Sequence, residues 1–216
     1  MRPRGRGLGQ DIIDCARRMD ALGFMPSKSG NVSVRTEGGF RITPSGLPYA
    51  ALTEADLVEV ALDGHVLHGH RRPSSEWRLH AAIYAARPEA KALVHTHSPR
   101  ATALSCARRG LPPFHYMIAL AGGDDIPCSG YATFGTQELA EAAAVAIAGR
   151  RACLLANHGV VAIGSGLAAA ETLAREVENL ASEYLDLLQA GLEPVLLTAE
   201  EMVAVTAQFG GYGRLD

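Results

Sequence analysis

Residues 92–97 read Ala-Leu-Val-His-Thr-His, an apolar run that ends in two histidines one residue apart. Side chains two residues apart on a strand point to the same face, so His95 and His97 can meet a common target. The stretch "LLANHGVV" holds a third histidine, His158, with apolar sequence on both sides. An imidazole buried there without a partner is costly. Any one of these residues alone would read as a hydrogen-bonded core histidine. Together, and with a carboxylate at Glu76 in "RPSSEWR", they point to a metal site, which takes about four nitrogen, oxygen or sulfur donors. His80 follows Glu76 by one helical turn and competes as a ligand. No H-E-x-x-H motif is present, however, and His80 is read as packing beneath the site. His65, His68 and His70 in "DGHVLHGH" lack an apolar frame and are read as solvated.

The chain of 216 residues suits one sizeable core, and 48% hydrophobic with 20% charged residues describes an ordinary globular domain. A net charge of −3 gives no nucleic-acid footprint. No export signal and no membrane-spanning run is apparent, and the four cysteines form no C-x-x-C pair, so the expectation is a cytoplasmic protein with reduced thiols. Residues 1–10 read as a disordered basic tail and 11–216 as a single domain.

Helical spacing marks "QDIIDCARRMDAL", "SSEWRLHAAIYAAR" with serine caps, "PRATALSCARR", "TQELAEAAAVAIAG" with a threonine cap, a long helix from about Leu167 to Ala190, and "AEEMVAVTAQF". Hairpins fit the alternation around Glu37-Gly38-Gly39 and around Asp63-Gly64. "ACLLANHGVVAIG" reads as a buried strand pair with a polar interruption. Helices interspersed with hairpins predict a layered α/β fold on a largely antiparallel sheet.

Three polar segments, "KSGNVS", "TPSG" and "PSSE", interrupt this pattern. Gly30 and Gly46 allow close backbone approach, while Asn31, Ser45, Ser74 and Ser75 offer neutral donors and Lys28 a cation. They suit a phosphate dianion, placed beside the metal because Glu76 follows Ser75. Neither a Walker A loop nor G-x-G-x-x-G occurs, so nucleotide binding is not indicated.

The segments "SGNVSVR", "ITPSG", "PSSEWRLH", "VHTHS", "HYMIALAGGDDIPCSGYATFGT" and "ANHGVVAIG" resemble the class II aldolase/adducin family over residues 11–214. The resemblance implies a three-layer α/β/α sandwich around a mostly antiparallel mixed sheet, in a homotetramer with active sites at subunit interfaces. It implies Zn2+ held by Glu76, His95, His97 and His158, with the phosphate site on Gly30, Asn31, Ser45, Gly46, Ser74 and Ser75. Glu76 would also act as the base. Tyr116 would be a catalytic residue reaching in from the neighbouring subunit, and Phe134, Phe209 and Tyr212 would form the aldehyde pocket. Lys28 stands where a small polar residue is expected. The implied activity is cleavage of a ketose 1-phosphate, with L-fuculose 1-phosphate expected, to dihydroxyacetone phosphate and L-lactaldehyde. A 5-deoxy or methylthio pentulose 1-phosphate is the alternative substrate. Pentulose-phosphate 4-epimerases share the histidine and phosphate motifs but typically carry Asp at the Glu76 position. An adducin-like interaction module would not need the metal and phosphate residues together.

Overall fold

The buried run at 92–94 becomes the middle of a sheet. In the computed structural model, which describes residues 7–211, β5 (Ala92–Thr96) is buried along its whole length between β1 (Asn31–Arg35) and β7 (Gly159–Gly164). β2 (Phe40–Ile42), β3 (Val58–Val60) and β4 (Val66–His68) extend the sheet beyond β1, and β6 (Ala152–Leu155) closes the other edge. The order of the seven strands is β4-β3-β2-β1-β5-β7-β6. Among the described residues all six ladders are antiparallel, and the one parallel pairing is an isolated bridge from Cys128 to Leu154. Both sequence-read hairpins form, as β1–β2 and β3–β4.

Alternation along the strands sorts the core into two layers. Val32, Val34, Val94, Val160 and Ala162 face α1 (Leu8–Ala21), α3 (Pro99–Cys106) and α5 (Leu167–Gln189). Phe40, Ile42, Leu93, Val161 and Ile163 face α2 (Trp77–Ala86) and α4 (Gln137–Ala146). A last helix, α6 (Ala199–Gly211), joins the first layer through the buried Met202. The result is the expected α/β/α sandwich. The first helix starts at Leu8, which packs against the core, so residues 8–10 belong to it rather than to the basic tail. Residues 1–6 lie outside the described residues. None of the four cysteines is paired, and no described helix is long and apolar enough to cross a membrane.

Thr136 caps α4 as read, accepting from the Leu139 N–H. The serines before α2 do not act as its N-cap. Glu76 itself occupies that position, and Ser74 Oγ, two residues earlier, accepts from the Glu76 N–H at 3.3 Å. The free donors of α3 are met from another helix. The buried carboxylate of Glu178 on α5 accepts from the backbone N–H of Arg100 and of Ala101, each at 2.8 Å. This joint fixes the helix that leaves the histidine strand. Glu178→Ala is expected to cost about 1–3 kcal/mol by leaving these donors without a partner. Glu178→Gln, which keeps an acceptor, should cost less. Urea unfolding midpoints at unchanged m-value check both.

Candidate metal centre and active site

Register brings the first two histidines to the site. Asn31 on β1 pairs with His95 on β5, and His95 pairs with Val161 on β7. His95 is fully buried, and its Nδ1 lies 2.9 Å from the Val160 carbonyl oxygen. That carbonyl can only accept, so Nδ1 carries hydrogen and Nε2 faces the site. His97 follows β5, and its Nε2 lies 3.1 Å from His95 Nε2.

His158 is set by a tight turn between β6 and β7. Asn157 adopts a left-handed conformation at φ 56°, which asparagine tolerates better than most residues. The Asn157 side-chain Nδ2 donates to the Cys106 carbonyl, and the His158 N–H donates to Ser105 Oγ, so the end of α3 holds this turn. The next residue must be glycine for space. A Cβ at Gly159 would strike the Thr96 carbonyl oxygen and approach the His97 ring to 3.0 Å.

Glu76, on α2's N-terminal boundary, completes the cluster. Its Oε2 lies 3.1 Å from His95 Nε2, and its Oε1 lies 3.1 Å from His158 Nε2. Asn31 Nδ2 donates to Oε2 at 2.9 Å. One ligand atom from each of Glu76, His95, His97 and His158 lies within 4.8 Å of all the others. A tetrahedral ion with bonds near 2.0–2.2 Å spaces its donors by about 3.3 Å. The observed separations fit. Glu76 Oε1 is moreover buried without an aligned hydrogen bond, the condition of an oxygen that awaits a cation.

The electrostatics agree. Burial opposes a charge on Glu76, but the neighbouring His95 and His158 outweigh it and hold the carboxyl far below its usual range. Burial also opposes a charge on His95, yet Glu76 and the Val160 carbonyl raise its pKa. A proton held there stands where a cation would bind. Burial and the charges of His95 and His158 push His97 down to about 3, leaving it neutral and able to donate a lone pair. His80 is not in the cluster. It is fully buried below it, with Nε2 against Asn31 Oδ1.

The polar loops meet beside this cluster because a bridge between Pro44 and Pro73 joins "TPSG" to "PSSE". The Ser45 N–H donates to the Arg72 carbonyl and the Ser74 N–H to the Thr43 carbonyl, each at 3.2 Å. Gly30 closes the cradle just before β1, where a Cβ would come within 2.8 Å of the His95 carbonyl oxygen. All seven residues read as phosphate-binding line one cavity of about 490 Å³, together with Glu76, His97 and His158. Lys28 reaches it from a short 3-10 turn and, like Ser27, has positive φ. A larger hollow of about 690 Å³ at the far ends of β5 and β7 contains none of these residues.

Phe134 lies on the cavity wall and is 66% exposed. Tyr131, Thr133 and Asn157 also line it, and sequence reasoning singled out none of them. Their only signal was membership of the quoted "YATFGT" and "ANHG" segments. Tyr116 and Phe209 do not line this cavity. They stack on each other elsewhere on the chain, with ring centroids 6.3 Å apart, and Tyr116 is half exposed. Tyr212 lies outside the described residues.

Comparison with known proteins agrees with this geometry. Residues 10–185 match the model of the class II aldolase and adducin N-terminal domain. The chain is 50% identical over 206 residues to 5-methylthioribulose-1-phosphate/5-deoxyribulose-1-phosphate aldolase of Rhodospirillum rubrum, covering 95% of this chain and 92% of that one. It is 48% identical to L-fuculose phosphate aldolase of Escherichia coli K12, covering 95% of each. A solved structure of an L-fuculose 1-phosphate aldolase superimposes with a TM-score of 0.90 at 40% identity, over 94% of this chain and 96% of that one. The chain therefore belongs to the class II aldolase and adducin family, as an enzyme of its metal-dependent aldehyde-lyase branch.

Proposed function

We propose that this protein is a zinc-dependent aldolase that cleaves a ketose 1-phosphate, L-fuculose 1-phosphate being the first substrate to try, into dihydroxyacetone phosphate and L-lactaldehyde. The observation that carries the reading is one cavity lined by both a carboxylate-imidazole cluster and a set of neutral phosphate donors. A set without thiolate is unlike the Cys-rich structural sites, and the three imidazoles alone would hold a catalytic zinc if substrate took the place of Glu76 and freed its carboxylate. A zinc ion held by Glu76, His95, His97 and His158 would polarise the ketose carbonyl and stabilise negative charge on its oxygen.

The chain's own residues supply the rest. Asn31, Ser45, Ser74 and Ser75 bind the phosphate end, with Lys28 at the entrance. Anchoring this non-reacting end orients the carbon that loses or gains the bond. Glu76 is the base: in the condensing direction its carboxylate takes a proton from the carbon beside the carbonyl of dihydroxyacetone phosphate. The Tyr116 hydroxyl of a neighbouring copy exchanges the proton on the oxygen that becomes the aldehyde. That role is supported by its absence from its own chain's cavity and by its exposed position. The same arrangement supports a homotetramer with shared sites, in which Phe209 joins Phe134 from across the interface.

A second substrate reading, a 5-methylthio- or 5-deoxyribulose 1-phosphate, is favoured by the 50% identical relative from R. rubrum. The exposed rings of Tyr131 and Phe134 would suit its apolar end.

Release of dihydroxyacetone phosphate from the three ketose 1-phosphates, with zinc and with chelator, tests the reading. Zinc-dependent release from at least one is expected, with Glu76→Gln lowering kcat by about 100-fold or more. Zinc-loaded protein that releases none from any of them would overturn it. Lys28→Ala should raise KM about two- to fivefold at nearly constant kcat, as an exposed charge does when it binds ground and transition states alike. For the shared site, Glu76→Gln and Tyr116→Phe subunits refolded together should recover activity that neither has alone. Absence of recovery in verified mixed oligomers would overturn the shared site, and a Tyr116→Phe protein that keeps full activity alone would place Tyr116 outside the reaction.

A further inference from the structure

Below the metal cluster, two stripes of polar side chains run side by side into the core. Glu76, His80 and Tyr84 recur every four residues on one face of α2, and Asn31, Ser33 and Arg35 recur every second residue on one face of β1. They bond in sequence. Asn31 Nδ2 donates to Glu76 Oε2, and Asn31 Oδ1 meets His80 Nε2. His80 Nδ1 lies 2.6 Å from Ser33 Oγ, which lies 2.9 Å from the Tyr84 hydroxyl. The last rung is Arg35, whose guanidinium donates to the Tyr84 carbonyl and lies 4.6 Å from the Tyr84 ring. His80 and Ser33 are completely buried, and Tyr84 and Asn31 nearly so.

Only one direction of donation satisfies every member. An ionised carboxylate accepts and never donates, so the Asn31 amide must turn its N–H towards Glu76. Its carbonyl oxygen then faces His80, and Nε2 must carry the hydrogen. The bare Nδ1 accepts from the Ser33 hydroxyl, and Ser33 accepts from Tyr84. Burial keeps His80 and Tyr84 in these forms, pushing the His80 imidazole down to about 3 and raising the Tyr84 phenol.

We propose that His80 is a positioning residue for Glu76. Fixed by Ser33 and Tyr84 as the Nε2–H tautomer, it locks the Asn31 amide with its N–H on Glu76 Oε2. That bond favours the ionised carboxylate and fixes its plane, leaving Oε1 turned towards His158. The inference rests on the reading of Glu76 as metal ligand and base. It also makes α2 and β1, rather than the mobile surface of a loop, the support of the reacting carboxylate.

The nitrogen-15 imidazole spectrum of the full-length protein, recorded without metal and with zinc, reports the tautomer. A neutral His80 with hydrogen on Nε2 is expected in both states; a cationic or Nδ1-protonated ring overturns the proposal. His80→Met and His80→Gln form a matched pair of similar length, of which only glutamine can donate to Asn31. By chelator competition, His80→Met should bind zinc about 10- to 100-fold more weakly. It should also lower kcat for the ketose phosphate with KM little changed, and His80→Gln should recover most of both. A fall in unfolding temperature for both variants with zinc affinity and kcat unmoved would reduce His80 to a core residue and overturn the proposal. If His80→Met does not fold, the wild-type spectrum decides. If the wild-type protein cleaves no ketose phosphate, the proposed activity fails, while tautomer and zinc affinity still decide the role of His80.

Discussion

A carboxylate buried among imidazoles sets the terms for the rest of this molecule. Glu76 is 5% exposed, and placing such a group out of water costs several kcal/mol unless charges and hydrogen bonds compensate. Here His95, His158 and Asn31 all lie within hydrogen-bonding range of its two oxygens. Each comes from a different element, so the compensation exists only when β1, β5, α2 and the β6–β7 turn are together in register. A slip of one residue between β1 and β5 would turn Asn31 to the opposite face, towards the layer of Val32 and Val94. The site therefore depends on the sheet's register, and a wrong register leaves a buried carboxylate uncompensated.

That dependence gives a reason for a polar stripe to run through an apolar layer. The α2 side of the sheet is packed with Phe40, Ile42, Leu93 and Val161. Within it, His80 stacks on Phe40 with ring centroids 6.1 Å apart, and Phe40 in turn packs against Tyr84. The rings fill the core while their polar atoms continue the hydrogen-bond chain. Packing and polar satisfaction thus come from the same side chains, which lets Asn31, His80, Ser33 and Tyr84 cross a packed interior with each one hydrogen-bonded.

What could be read from the sequence was what is local. His95 and His97 at alternate positions of an apolar strand, and His158 in an apolar frame, gave a cluster that the structure assembles. The seven residues read as a phosphate cradle stood out because Gly, Ser and Asn interrupt the strand pattern, and the structure brings all seven to one cavity. The pairing of β1 with β5 was not legible, since Asn31 and His95 lie far apart in the chain and periodicity does not name a partner. For the same reason His80 could be placed beneath the site but not tied to Asn31. Tyr131 and Thr133 went unnoticed because they sit in a stretch without regular structure, where spacing carries no directional information. The serines before α2 matched a capping pattern, but the chain assigns the boundary to Glu76, whose side chain is committed to the cluster. A pattern of residue types did not distinguish these two uses.

In the proposed reaction, the charges in the cavity give a reason for the phosphate end to rely mainly on neutral donors. A divalent ion with one carboxylate leaves about one net positive charge at the reacting end, and three neutral imidazoles leave it unchanged. A row of cations at the other end would attract the phosphate strongly, but substrate and product phosphates alike. Binding of that kind lowers KM without lowering the barrier, and it slows product departure. Neutral hydroxyls and amides still orient the phosphate through directed hydrogen bonds, with less pull on a released product. Lys28, exposed at the rim and held at positive φ, adds one charge where water screens it. The strong electrostatics are thereby concentrated at the end where bonds change, on the carboxylate that two rigid elements hold in place.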